Sequence, residues 1–120
     1  MNAVKRVAVF GAGLMGSGIA QVVAQSGFQV TVMDPSQEAL TRAQALIRQN
    51  WNQMAAKQKR ATHSAATQTT FSVENLLSRL SVTTSLTQAI ENVDFVIEAI
   101  PENLDLKRQF FAELDKLAPR

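Results

Sequence analysis

Three glycines and one aspartate carry the most chemistry in this chain. Gly11, Gly13 and Gly16 stand in the pattern G-x-G-x-x-G, within Gly11-Ala12-Gly13-Leu14-Met15-Gly16, and Asp34 follows 18 residues after the third glycine. Each position has a physical task when such a loop joins a buried strand to a helix. Gly11 permits the tight turn, Gly13 lets the backbone approach a pyrophosphate, and Gly16 lets helix and strand pack closely. The helix N-terminus then offers unpaired N–H groups and the positive end of its dipole to phosphate oxygens. Asp34, at the end of the next strand, is placed to accept hydrogen bonds from the hydroxyls of an adenosine ribose. Its charge repels a 2′-phosphate, which favours NAD over NADP. A glycine-rich turn followed by an aspartate that caps the helix after Pro35 is the plainer reading of the same residues.

Other candidates are weaker. Lys57, Lys59 and Arg60 form the clearest basic cluster, read either as a patch for one anionic ligand or as ordinary charges at a helix C-terminus. Glu98 sits inside an apolar strand, as a cleft residue or as a structural group bonded to backbone. Trp51 and Met54 lie on an apolar helix stripe and read as core. His63 is the single histidine, with no acid nearby in sequence to orient it, and is not read as catalytic. Cysteine is absent, which excludes a disulfide framework and a thiolate metal site, and no metal site is expected.

The elements that would position these residues follow from composition and period. The chain has 120 residues, 46% of them hydrophobic and 18% charged, as in an ordinary folded domain. Val4 to Phe10 ends in a continuous apolar run, as a buried parallel strand does. Ile19, Val22 and Val23 recur at helical spacing, and Ser26-Gly27 closes that helix. Phe28 to Met33 reads as a second strand. Leu40, Ala43, Ile47, Trp51 and Met54 stripe a long helix that begins at Pro35-Ser36. Ala61 to Ser72 reads as a loop, and Ser72 as the cap of a short helix bearing Val73, Leu76, Leu77 and Leu80. Residues 50–80 are thus expected to form a helical hairpin projecting from the sheet. Val82 to Thr84 is a third strand, Leu86 to Ile90 a brief helix and Asp94 to Ile100 a fourth strand. Leu106, Phe110, Phe111, Leu114 and Leu117 stripe a last helix.

This alternation predicts an α/β fold, a Rossmann-type doubly wound parallel sheet. A complete dinucleotide fold orders six strands 3-2-1-4-5-6, and four are found here. Strand four would therefore be left as an apolar edge. The sequence reads as one dinucleotide-binding domain over 1–120, incomplete at its C-terminal side. Formal net charge is +2, with seven basic against two acidic residues in 1–60 and five against eight in 61–120. That pattern lacks the broad basic face of a nucleic-acid module. No apolar run reaches the ~20 residues of a membrane span, and the start leaves no room for a signal peptide, so a cytoplasmic protein is expected.

The stretch Gly11-Ala-Gly-Leu-Met-Gly-Ser-Gly-Ile-Ala-Gln resembles the opening of the 3-hydroxyacyl-CoA dehydrogenase family. Val93-Asp-Phe-Val-Ile-Glu-Ala-Ile-Pro-Glu-Asn-Leu-Asp-Leu-Lys is similar to that family's fourth strand and following helix. The resemblance runs from about Val4 to Arg120 and is weakest across 58–80. The 3-hydroxyisobutyrate and 6-phosphogluconate dehydrogenases share much of the first motif, and Asp34 argues against their NADP-using members. The resemblance implies that Gly11, Ala12, Gly13, Leu14, Met15 and Gly16 hold the pyrophosphate of NAD and Asp34 its adenosine ribose. It further implies that Ala99 and Ile100 line the cleft, and that Glu102 and Lys107 lie on the nicotinamide-ribose side. Lys57 matches a lysine that meets coenzyme A, and Asn50 stands where some relatives place a serine that also contacts it.

In that family, hydride moves between C3 of a 3-hydroxyacyl-CoA and the nicotinamide, while a His held by a Glu serves as general acid/base. The resemblance places that pair, and the helical C-terminal domain that builds the acyl pocket and the homodimer, beyond Arg120. No catalytic residue is expected within this chain, since proton transfer needs a base within hydrogen-bond reach. Two other readings stay open: a related NAD-dependent β-hydroxyacid dehydrogenase, and a stand-alone NAD-binding module without chemistry.

Overall fold

The computed structural model describes residues 5–61 and 72–100, together with 108, 111–113, 115 and 116. Four parallel strands form one sheet: β1 (Arg6–Phe10), β2 (Gln29–Met33), β3 (Leu80–Thr83) and β4 (Phe95–Glu98). Their order is β3-β2-β1-β4, the order expected of the first four strands of a dinucleotide fold. β1 is central because it is apolar on both faces. Val7 and Val9 join the larger core cluster, while Ala8 and Phe10 join the smaller one, as a side-chain period of two requires.

Helices cover both faces. α1 (Leu14–Gln25), α2 (Gln37–Ala61) and α3 (Val73–Ser78) pack on the larger cluster through Ala20, Ala24, Leu40, Ala43, Ile47, Trp51 and Leu76. α4 (Leu86–Ile90) covers the other face through Leu86, Ala89 and Ile90. The stripe read from the sequence of α2 is therefore the buried one, and Met54 is half-buried at its end. Trp51 is fully buried, and its indole N–H donates to Gln25 Oε1 at 3.1 Å, which satisfies the one polar atom it carries. Local caps behave as their chemistry predicts. Gly27 closes α1 at φ +99°, and Ser72 Oγ accepts from the Asn75 N–H at 3.2 Å.

Of the hairpin expected over 50–80, the structure describes the two helices, α2 and α3, and not the residues between them. α2 continues as one helix to Ala61, and Asn52, Gln53, Ala56 and Lys57 are exposed along it. α3 does not project: Leu76 is buried, and Val73 and Leu77 pack against the same core. Its apolar side is too large to leave in water. The intervening 62–71, with His63, lie outside the described residues, as do Glu102, Lys107 and, of the last helix, Leu106, Phe110, Leu114 and Leu117. Strand ends differ from the sequence reading by one or two residues, most visibly in β3, which begins at Leu80. β4 is the edge on its side among the described residues, with Phe95 56% exposed.

Candidate functional site

The carboxyl end of the sheet gathers the loop after β1, the turn after β2 and the turn after β4. Open α/β sheets take ligands at this end, beside the point where strand order reverses. β1, between β2 and β4, is that point. Its loop does what the glycine pattern predicts. Gly11 has φ +112°, and its N–H donates to the Met33 carbonyl at 2.8 Å. A methyl at Gly11 would stand 2.6 Å from the Ala99 carbonyl oxygen. A methyl at Gly16 would run into the Gly11 carbonyl oxygen. A methyl at Gly13 would meet nothing within 4 Å. Two of the glycines thus make room for the chain itself, and the third opens onto free space.

Gly13 is the N-cap of α1 and supplies no side-chain acceptor. The first intrahelical bond runs from the Ser17 N–H to the Gly13 carbonyl at 2.9 Å, so the N–H groups of Leu14, Met15 and Gly16 precede the helix's own ladder. No acid stands in the first turn. The side chains of Leu14 and Met15 are 82% and 69% exposed around this terminus. A gap over Gly13, donors without helical partners and a positive dipole end free of acids fit a pyrophosphate.

Asp34 follows β2 and is half-buried beside the loop. Its Oδ2 accepts from the Ala12 N–H at 3.0 Å and its Oδ1 from the Ser36 N–H at 2.9 Å. Ser36 Oγ in turn accepts from the Ala39 N–H at 3.1 Å and starts α2. Asp34 is thus a turn residue as well as the candidate ribose acceptor, and the two are compatible because each carboxylate oxygen accepts more than one hydrogen bond. Sequence reasoning began α2 at Pro35-Ser36 but missed the bonds to Asp34 from the Ser36 and Ala12 N–H groups. The Asp34-Pro35-Ser36 triplet was the available signal, since aspartate commonly bonds the backbone N–H two residues on.

Ala99 and Ile100 follow β4, beside Gly11 and across β1 from Asp34. Ala99 is buried, and its N–H donates to the Phe10 carbonyl at 2.8 Å. Glu98 Oε1 accepts from the Ile100 N–H at 2.8 Å, which selects the backbone-bonded reading of that residue. The two positions singled out for coenzyme A lie elsewhere, on α2. Asn50 is half-buried at the α1–α2 contact, where its Nδ2 donates to Gln21 Oε1 at 3.0 Å. Lys57 is exposed, about 10 Å further along the helix axis. The side chains of Lys59 and Arg60 lie outside the described residues. Among the described residues, no three His, Cys, Asp or Glu side chains gather as a metal site, and no helix is long and apolar enough to cross a membrane.

Comparison with known proteins agrees with this geometry. Residues 6–120 match the family described as 3-hydroxyacyl-CoA dehydrogenase, NAD binding domain. A probable 3-hydroxyacyl-CoA dehydrogenase of Caenorhabditis elegans is 42% identical over 118 residues, 98% of this chain and 37% of the relative. The crystal structure of 3-hydroxybutyryl-CoA dehydrogenase from Escherichia coli K12 superposes with a TM-score of 0.82 at 38% identity, over 98% of this chain and 23% of that one. A diketoreductase, described as acting on dicarbonyl compounds, superposes with a TM-score of 0.76 at 34% identity, over 99% of this chain and 40% of that one. The chain therefore spans little more than a third of the length of its curated relative. A glycine loop, an aspartate after β2 and a strand order that each fit NAD, together with these matches, place the chain among the NAD-binding domains of the 3-hydroxyacyl-CoA dehydrogenase family.

Proposed function

We propose that this chain is the cofactor-binding part of a longer NAD-dependent enzyme that interconverts 3-hydroxyacyl-CoA and 3-oxoacyl-CoA. The observation that carries the reading is the pairing of an open, acid-free helix N-terminus at Gly13 with Asp34, tied to the same loop through Ala12. When bound, the nicotinamide ring accepts or supplies the hydride. The residues here bind and orient: the loop from Gly11 to Gly16 holds the pyrophosphate, Asp34 the adenosine ribose, and Ala99 and Ile100 one wall of the cleft. Glu102 and Lys107 belong to the nicotinamide-ribose side in this proposal. Lys57 meets coenzyme A as a point charge, and Asn50 contacts it by exchanging its bond to Gln21. The acid/base pair, the acyl pocket and the homodimer contact belong to the rest of the enzyme, which works in the cytoplasm.

The test is a calorimetric titration of the chain with NAD and, separately, with NADP. Binding of NAD with little binding of NADP is the expected result, and equal binding of both would remove the ribose role from Asp34. The likeness to the diketoreductase favours one second reading, a related enzyme that acts on substrates without coenzyme A. Turnover of a free hydroxy acid and none of acetoacetyl-CoA by the full-length protein would select it.

A further inference from the structure

We infer that Glu98 is a positioning residue of the cofactor cleft, holding the Ala99–Ile100 wall against the glycine loop; this rests on reading the cleft as the NAD site. Glu98 is the last residue of β4 and pairs in register with Phe10, the last residue of β1. Its half-buried side chain curls back so that Oε1 accepts from the Ile100 N–H at 2.8 Å. The turn closed in this way holds Ala99 between two contacts. The Ala99 N–H donates to the Phe10 carbonyl, and the Ala99 carbonyl lies over Gly11, where a methyl would stand 2.6 Å from it. The Ala99 Cβ also lies 3.6 Å from where a Cβ at Gly16 would be. One bond at Glu98 thus sets a backbone turn that touches two of the three glycines.

A glutamate that ends the apolar run Phe95-Val96-Ile97 costs free energy unless its oxygens are bonded. Strand alternation says what it is there for. Ile97 packs with the α1 and α2 core and Val96 with the α4 cluster, so Glu98 rises from the α4 face. The sheet separates its charge from the N-terminus of α1, where phosphates are placed. The turn is closed through an acceptor oxygen of Glu98. Glutamine keeps that oxygen at the same reach, and methionine keeps the length of the side chain without it.

The experiment compares the full chain with Glu98→Met and Glu98→Gln, by calorimetry with NAD and NADP and by amide hydrogen exchange without ligand. For Glu98→Met, Ile100 exchange should quicken by roughly tenfold or more while Val9, within the buried β1, stays protected. NAD affinity should fall by about tenfold, with the preference for NAD over NADP unchanged. Glu98→Gln should restore both. NAD binding by Glu98→Met at wild-type affinity would overturn the inference. So would equal losses in both variants, which would mark a contact made by charge, or loss of protection at Val9 as well, which would make Glu98 a folding residue. A wild-type chain that fails to bind NAD would instead overturn the cofactor reading, while exchange at Ile100 would still report on the turn.

Discussion

At the amino end of the sheet, Asp94 Oδ2 accepts the backbone N–H groups of Lys5 and Arg6 at 2.9 and 3.0 Å. At the carboxyl end, Asp34 accepts those of Ala12 and Ser36 at 3.0 and 2.9 Å. The bonds are nearly equal in length, and each aspartate ties neighbouring segments together. They differ in what surrounds them. Asp94 stands just before β4 and joins it to the start of β1, where the one neighbouring glycine among the described residues, Gly27, closes α1. Asp34 stands beside a loop with three glycines and a helix N-terminus without an acid. The same device holds the fold at one end and, in the function proposed above, shapes the NAD cleft at the other, so the role assigned follows from the neighbours and not from the aspartate alone.

The sharpest way to break the comparison is to spoil the carboxyl end from within. In Gly16→Ala the new methyl meets the Gly11 carbonyl oxygen, which is backbone and has little freedom to move. Overpacking of this kind costs about 1–3 kcal/mol, and NAD binding should be lost with it. Urea unfolding and calorimetry read the two effects, and wild-type values in both would contradict the close packing assigned to Gly16. Gly13→Val separates ligand from fold, because a Cβ there meets nothing within 4 Å. Stability should fall by only about 1 kcal/mol, the cost of a poor N-cap, while NAD binding disappears. Retained binding would refute the assignment of that space to the pyrophosphate.

Asp34→Ala gives a smaller effect. NAD affinity should drop by about 1–3 kcal/mol, the range for a hydrogen bond to a charged group, and discrimination against NADP should narrow. Because the Ala12 N–H loses its acceptor as well, NADP should gain little in absolute affinity. A large gain for NADP at undiminished stability would show that the bond to Ala12 does not shape the loop.

How far the sequence reaches follows from which forces are local. The glycine loop, the end of α1 at Gly27, the Ser72 cap and the stripe from Leu40 to Trp51 depend on spacing within a few residues, and all were legible. The order β3-β2-β1-β4 was legible because parallel crossovers allow few topologies. The pairs Asn50–Gln21 and Trp51–Gln25 were not, since they depend on how α1 and α2 approach, which no period records. Nor was the bond from the Ile100 N–H to Glu98, because a glutamate in an apolar strand is equally consistent with a ligand contact. Around the glycine loop, the turn and the tight packing were legible and the side-chain bonds to backbone were not.

The smallest effect belongs to Asp94, and its sign is fixed. The N–H groups of Lys5 and then Arg6 hold its carboxyl below the ordinary value of 3.8, with a lesser contribution from the nearby Arg6 and Lys5 charges. A carboxyl whose pKa is lower in the folded state than in the unfolded state stabilises the fold above the unfolded value, and that contribution is lost as pH falls through the folded one. Asp94→Asn should therefore flatten the decline in stability as pH falls below about 5. It should lower the urea midpoint modestly at neutral pH and leave the affinities for NAD and NADP unchanged. An acid profile identical to wild type would show that the negative charge of Asp94 adds nothing to the paired N–H bonds. A change in cofactor affinity would break the comparison itself, by showing that the amino end of the sheet also shapes the cleft.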